Sequence, residues 1–275
     1  MQEKLERAAM ALREADGLVI SAGAGMGVDS GLPDFRGDQG FWKAYLPYAR
    51  LGLGFMNLAN PRWFREDPAL AWGFYGHRLE LYRRTVPHEG FALLRRWSER
   101  TTLGSFVFTS NVDGQFQRAG FDPGRIVECH GAIDFLQCTA SCGVGVFSAD
   151  SVHVDVDPET FRARAPLPQC PRCGALARPS ILMFGDDGWD SSRVEVQEQN
   201  LDAWMTRARG ARLVAIECGA GTAVPSVRHF NEHLLRVSPG LLLLRINLRE
   251  PEVPEGHLGL PLGALAALRA IEACR

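Results

Sequence analysis

With 275 residues, 46% hydrophobic and 23% charged, the chain is long enough for one large domain, or for one large domain carrying a smaller insertion. A formal net charge of -2 gives no electrostatic argument for a nucleic-acid or membrane partner, and the longest apolar run, Leu241 to Leu244, is strand-sized rather than membrane-spanning. The first residues mix both charges without an apolar signal core, and seven cysteines without an export signal point to reduced thiols or metal ligands in a cytoplasmic setting.

Residues 3–16 read as an amphipathic helix with Leu5, Ala8, Ala9 and Leu12 on one face. Gly17 to Ser21 is a short apolar run of the kind that makes a buried strand. It ends in Gly23-Ala24-Gly25-Met26, where a tight turn leaves room for a phosphate to approach main-chain N–H groups. The dinucleotide fingerprint is incomplete: Val28 stands where a third glycine belongs. No acidic residue lies between Asp38 and Glu66 to take a ribose hydroxyl. A hydride-transferring dehydrogenase is therefore disfavoured. Pro33-Asp34-Phe35-Arg36 follows, setting a rigid turn, a carboxylate, a ring and a guanidinium side by side.

From Phe41 to Thr85 the pattern is helical and aromatic-rich, with Trp42, Tyr45, Phe55, Trp63, Phe64, Trp72, Phe74 and Tyr75 expected in a small helical layer. A helix over 88–100 and a strand over 105–109 come next. Ser110-Asn111-Val112-Asp113 sits at the carboxyl end of that strand, where open α/β sheets place ligands. Asn111 can hold a planar carboxamide and Asp113 can orient a ribose or the same amide, although a turn and helix cap would use the same residues. Residues 126–131 read as a short strand ending in His130-Gly131, the glycine leaving open space beside a histidine suited to general-base work near neutral pH. Cys138 with Cys142 and Cys170 with Cys173 can supply four thiolates to a structural zinc. Residues 178–186 return to a strand, 193–209 to a helix, and 213–218 to a strand followed by Gly219-Ala220-Gly221-Thr222-Ala223. Leu241 to Asn247 is the last clear strand, and an apolar helix over 262–273 closes the chain.

The Gly-Ala-Gly-Met-x-x-x-Ser-Gly-Leu-Pro-Asp-Phe-Arg stretch resembles the NAD-binding signature of the sirtuins, the NAD-dependent protein deacylases, with Gly27 where most members carry serine. Ser110-Asn111-Val112-Asp113 resembles the sirtuin Thr-Gln-Asn-Ile-Asp segment, Ser110 replacing the glutamine, and His130 matches the catalytic histidine. The resemblance implies cofactor contacts from Gly23, Ala24, Gly25, Met26, Pro33, Asp34, Phe35, Arg36, Trp42, Ser110, Asn111, Val112, Asp113 and His130. It adds the loop Gly221, Thr222 and Ala223, close to the family's Gly-Thr-Ser, and Asn247 near the adenosine. Arg178 to Asp186 resembles the segment whose backbone pairs with the peptide substrate, which brings in Phe184 and Gly185. Tyr75 and Arg78 resemble the pair by which sirtuins active on succinyl- and malonyl-lysine hold the acyl carboxylate.

The implied architecture is a Rossmann-like parallel sheet built from residues 1–40, 86–135 and 178–275. Two insertions, helical over 41–85 and zinc-bound over 136–177, would form a smaller domain. The implied reaction consumes NAD to remove an acyl group from an acylated protein lysine, with Asn111 and His130 as catalytic residues. Nicotinamide and acyl-ADP-ribose are the products. ADP-ribosyl transfer or NAD hydrolysis shares the first bond cleavage and stays open, as does an NAD-sensing module. No nucleic acid or membrane partner is expected.

Overall fold

The structure, a computed structural model, describes residues 1–33, 49 and 52–275. Its strands are β1 (Gly17–Ala22), β2 (Ser105–Thr109), β3 (Ile126–Glu128), β4 (Gly131–Cys138), β5 (Phe147–Ser148), β6 (Ala177–Ile181), β7 (Leu213–Cys218), β8 (Leu242–Ile246) and β9 (Leu258–Leu260). Six of them form one sheet in the order β3-β2-β1-β7-β8-β9, and every pairing in it is parallel. The sequence order reverses between β1 and β7, so the carboxyl ends diverge there and leave the crevice that α/β folds use for ligands.

All six β1 residues are buried because the strand is covered on both faces. Successive side chains alternate between two apolar layers, as the pleat requires. Leu18, Ile20 and Ala22 face one layer with α1 (Gln2–Glu14), and Val19 faces the other. Among the described residues the further helices are α2 (Phe55–Leu58), α3 (Trp63–Glu66), α4 (Pro68–Arg84), α5 (Glu89–Ser98), α6 (Gln115–Arg118), α7 (Ser192–Arg207), α8 (Ser226–Val237) and α9 (Ala264–Ala273). Leu94 and Trp97 of α5 and Leu268 and Ile271 of α9 join the α1 layer, while Trp204 of α7 and Leu234 of α8 join the opposite one.

A second sheet, β5-β4-β6, is antiparallel and carries the small module. It crosses the boundaries expected from the sequence. Residues 131–132 and 180–181, assigned to the large sheet, pair with each other here instead. Four elements were not expected: β4, β5, α8 and the three-residue edge strand β9, whose Leu-Gly-Leu is too short to show a period.

Helix α4 explains why the helical insertion docks on the zinc-binding one. Asp67 caps it by accepting the Leu70 amide at 3.1 Å, with Pro68 at the first helical position. Gly73 and Gly76 do not break it. A Cβ on Gly73 would overlap the Phe161 carbonyl, and one on Gly76 would sit 2.7 Å from the Val154 side chain. The glycines let the loop over 152–163 lie directly on the helix. Two Arg162–Asp67 bonds (2.9 and 2.7 Å), Ala163 N to Ala69 O at 2.8 Å, and Trp72 Nε1 to Ala177 O at 2.9 Å complete the joint.

Gly73→Ala should therefore lower stability although alanine is the better helix former by about 1 kcal/mol. Overpacking against a backbone carbonyl outweighs that gain, with a net loss of roughly 1–3 kcal/mol. A urea midpoint that rises in this variant would contradict the packing argument.

Candidate active site and metal centre

Five of the loops singled out in the sequence lie at the carboxyl edge of the six-stranded sheet. Gly23 follows β1, Ser110 follows β2, Cys129 and His130 follow β3, Gly219 follows β7 and Asn247 follows β8. Two of these loops touch backbone to backbone. Gly23 N donates to Cys218 O and Gly25 N to Gly219 O, both at 3.0 Å. A Cβ on Gly23 would lie 2.8 Å from Ala220 Cα, and Gly219, at φ 64°, would overlap Gly25 if it carried one. The glycines are thus explained first by close approach of two loops.

Ala24, Gly25 and Met26 form a single 3-10 turn. The Met26 side chain is fully buried, its amide bonds Gly23 O and its carbonyl accepts from His88 Nε2. Asn111 ties the second motif to the first by donating Nδ2 to Gly23 O at 3.0 Å. Val112 packs into the small module's core. Asp113 is buried, with Oδ1 accepting the Gln115 amide at 3.0 Å, while Oδ2 accepts from no donor among the described residues. Burial pushes its carboxyl up to about 6, opposed by the Gln115 N–H and by Arg118. Pro33 is half-buried; Asp34, Phe35, Arg36 and Trp42 lie outside the described residues.

His130 is half-buried and its Nε2 lies 3.0 Å from Ser226 Oγ. Burial holds its pKa below the ordinary 6.5, partly offset by a hydrogen bond to the Ser110 backbone. The imidazole is therefore neutral near pH 7, the state a general base needs. The glycine after it leaves no open space, contrary to expectation. Gly131 is left-handed at φ 75°, and any Cβ there would overlap the Ser180 carbonyl of β6.

Thr222 gives both its backbone amide (3.0 Å) and its hydroxyl (2.9 Å) to the Glu250 carboxylate. Arg228 braces the same loop, bonding Ala220 O at 3.0 Å and Glu250 O at 2.6 Å. Asn247 donates to Ala220 O at 2.7 Å and accepts the amides of Arg249 and Glu250, so its amide builds the loop. Gly221 is half-buried and Ala223 exposed beside them. Ser226, Arg228 and Glu250 were not found from the sequence. Their roles depend on a loop geometry that leaves no local pattern.

Phe184 stacks edge-on with Phe55 at 6.2 Å and gives its amide to Ala59 O, with Gly185 exposed next to it. Tyr75 and Arg78 share the buried face of α4. Tyr75 packs on Phe64 and Phe74, and its hydroxyl has no partner among the described residues. Arg78 is only 5% exposed, donates to Tyr82 Oη at 3.0 and 2.7 Å, and lies over the Phe74 and Tyr82 rings. It is not a solvated surface arginine.

Cys138 closes β4, and Cys170 opens a knuckle in which its amide bonds Ala175 O and its carbonyl accepts the Gly174 amide. The Cys138–Cys173 and Cys142–Cys170 sulfurs are 3.5 and 3.6 Å apart, and all four lie within 4.8 Å of one another. Disulfides would need about 2.05 Å. A zinc ion with Zn–S of about 2.3 Å demands a tetrahedron with edges of about 3.8 Å, so the four thiols fit zinc as they stand.

Sheet order, glycine loops at the reversal point and a histidine beside them define a dinucleotide-binding α/β protein with a zinc-ribbon module. The model of the Sir2 family matches residues 23–206, and the chain belongs to the Sir2 family. It is 34% identical over 189 residues to an NAD-dependent protein deacylase 1 of Archaeoglobus fulgidus. That match covers 68% of this chain and 66% of the relative, just under two thirds of its length. An NAD-dependent protein deacylase of Thermus thermophilus is 30% identical over 270 residues, 97% of this chain and 93% of the relative. The crystal structure of a Sir2 homolog–NAD complex superposes with a TM-score of 0.70 at 26% identity, covering 98% of this chain and 93% of that one.

Purified protein should carry about one zinc per chain. Cys170→Ser should release it and unfold the small module, because metal binding is coupled to folding of the segment it cross-links. Elemental analysis together with a thermal melt reads both effects, and metal-free wild-type protein would refute the assignment.

Proposed function

We propose that the chain is an NAD-dependent protein-lysine deacylase that releases nicotinamide and O-acyl-ADP-ribose. The observation that carries this reading is His130, a neutral base at the switch-point edge beside Asn111 and Asp113. The fold relatives named above bind NAD or carry deacylase names. Asp113 Oδ2, which accepts from no donor among the described residues, and the backbone of the Gly23–Met26 turn suit a carboxamide and a phosphate. Asp34, Phe35, Arg36 and Trp42 complete the proposed cofactor set, with Gly221, Thr222, Ala223 and Asn247 at its far end.

NAD supplies an electrophilic ribose carbon and a leaving group. The chain's own residues orient and deprotonate. His130 Nε2 takes a proton from a substrate hydroxyl, and burial keeps it neutral until then. The amides of Leu182, Met183 and Phe184 are engaged by His130 O, Asp186 Oδ2 and Ala59 O. An acyl-lysine peptide added as a strand here pairs through carbonyl oxygens, near Phe184 and Gly185. We divide the chain into a large domain (1–40, 86–135, 178–275) and a small one (41–85, 136–177), with strands β4 and β6 running across the boundary between them. No described helix is long and apolar enough to cross a membrane, and we assign the protein to the cytoplasm.

The acyl preference rests on Tyr75 and Arg78. A buried guanidinium beside a buried phenol suits an acyl chain that ends in a carboxylate, such as succinyl or malonyl, because the pair supplies a charge-assisted bond and a further donor.

Two outcomes test these assignments. His130→Ala should cut peptide-dependent nicotinamide release by roughly 100-fold or more while NAD binding persists. Near-normal turnover in the folded variant would remove the base. Release that needs no peptide would instead mark an NAD hydrolase. Separately, succinyl-peptide should exceed acetyl-peptide in kcat/KM, and Arg78→Met should reverse that order. Equal loss on both substrates would make Arg78 structural.

A further inference from the structure

We infer that His88 is a positioning residue for the turn after β1: its imidazole caps α5 through Nδ1 and holds the backbone of Ala24–Met26 through Nε2–H. The consequence for affinity rests on the proposed binding of NAD at that turn; the two hydrogen bonds rest on geometry alone.

Both ring nitrogens have a backbone partner, and together these place the proton. The Gly90 amide donates to Nδ1 at 2.9 Å. Nδ1 is therefore the lone-pair nitrogen, and the proton of the neutral ring sits on Nε2. Nε2 lies 2.9 Å from Met26 O, a carbonyl that can only accept, so the second contact requires the same tautomer. Burial holds the ring's pKa below the ordinary 6.5, opposed by the Met26 carbonyl, Asp29 and Glu89, with Arg269 adding to the lowering. The ring is thus neutral near pH 7, as both bonds need. Gly90 makes room for it: a Cβ there would lie 2.5 Å from the ring's Cε1 and 2.8 Å from Nδ1. Phe91 packs against the same ring at 4.9 Å.

The backbone of His88 reaches the second motif. His88 N donates to Ser30 Oγ, and that hydroxyl donates to Gln115 Oε1, both at 3.0 Å. The Gln115 amide in turn donates to Asp113 Oδ1. One residue therefore joins the turn after β1 to the segment that carries Asp113, and it does so from the cap of a ten-residue helix. The turns Ala24–Met26 and Val28–Ser30 have no side-chain cap of their own. Among the described residues, His88 supplies the side-chain hydrogen bond to Ala24–Met26. A rigid helix end holding a binding loop through a locked rotamer is how a supporting residue preorganises a site.

Three variants separate the two bonds. His88→Asn keeps an oxygen that can accept the Gly90 amide, a favoured helix cap, but ends one atom short of the Nε2 position. His88→Gln sets an N–H donor at the Nε2 position and gives up the short cap. His88→Ala loses both. NAD dissociation constants measured by calorimetry should follow the Met26 bond. They should rise roughly three- to tenfold in His88→Asn and His88→Ala, the cost of one hydrogen bond, and stay within about twofold of wild type in His88→Gln. Melting temperatures should follow the cap instead, with His88→Asn near wild type and the other two several degrees lower. Nitrogen-15 histidine spectra of the wild type, with the His88 signal assigned by its absence from His88→Ala, should show a single Nε2–H tautomer. Wild-type NAD affinity in His88→Asn overturns the inference, and so does an Nδ1–H tautomer. A parallel fall of affinity and melting temperature across all three variants would mark a structural role and also overturn it. Wild-type protein that binds no NAD would remove the cofactor reading and the positioning role with it, while the tautomer would still decide the two bonds.

Discussion

The contact between the loops after β1 and β7 is the constraint on which the site depends. Gly23 and Gly25 meet Gly219 and Ala220 with no side chain between them, joined by two backbone hydrogen bonds. Side chains at these positions would separate the loops and with them the two halves of the sheet edge. Everything that reaches the crevice is referenced to this junction. Asn111 bonds the Gly23 carbonyl, while Asn247 and Arg228 both bond the Ala220 carbonyl. Three polar side chains from different elements are thus spent on two carbonyls of the junction.

Beneath it lies a buried polar network that ties the central strands to α8. Glu217 of β7 pairs with Arg245 of β8 at 2.6 Å, and Asn231 of α8 bridges Glu217 and Ser21. Glu217 is fully buried, so its charge is tolerable only because Arg245 and Asn231 satisfy it. Removing Arg245 would leave a carboxylate stranded in an apolar layer, whereas Asn231 contributes mainly by fixing how α8 sits on the sheet. Because Ser226 begins that helix, the network also sets the direction from which His130 is met.

The small module is built differently. Its aromatic core gathers around α4, and its loops carry little apolar surface of their own, so four thiols, arginine–carbonyl bonds and two glycine contacts hold it together. That construction brings α4 alongside the second motif, since Arg78 and Tyr82 are close enough to Asp113 to act on it electrostatically. A helix far from the sheet in sequence thereby contributes to the wall of the cleft.

Much of this was legible in the chain alone. The strands β1, β2, β7 and β8 announce themselves as apolar runs, the cysteine pairs by spacing, and Asn111, Asp113 and His130 by standing just after predicted strands. These features are local, because strand burial, knuckle geometry and turn chemistry are encoded within a few residues. What only the tertiary structure decided are contacts between segments far apart. Ser226 lies 96 residues from His130, and Glu250 lies 28 from Thr222. Gly73 reads as a weak spot in a helix until the Phe161 carbonyl is laid against it. The antiparallel sheet joins residues on both sides of the expected domain boundaries because β4 and β6 find each other across the zinc-binding loop. No periodicity or motif records such pairings: the free energy that selects them comes from packing and hydrogen bonds that exist only once the chain has closed on itself.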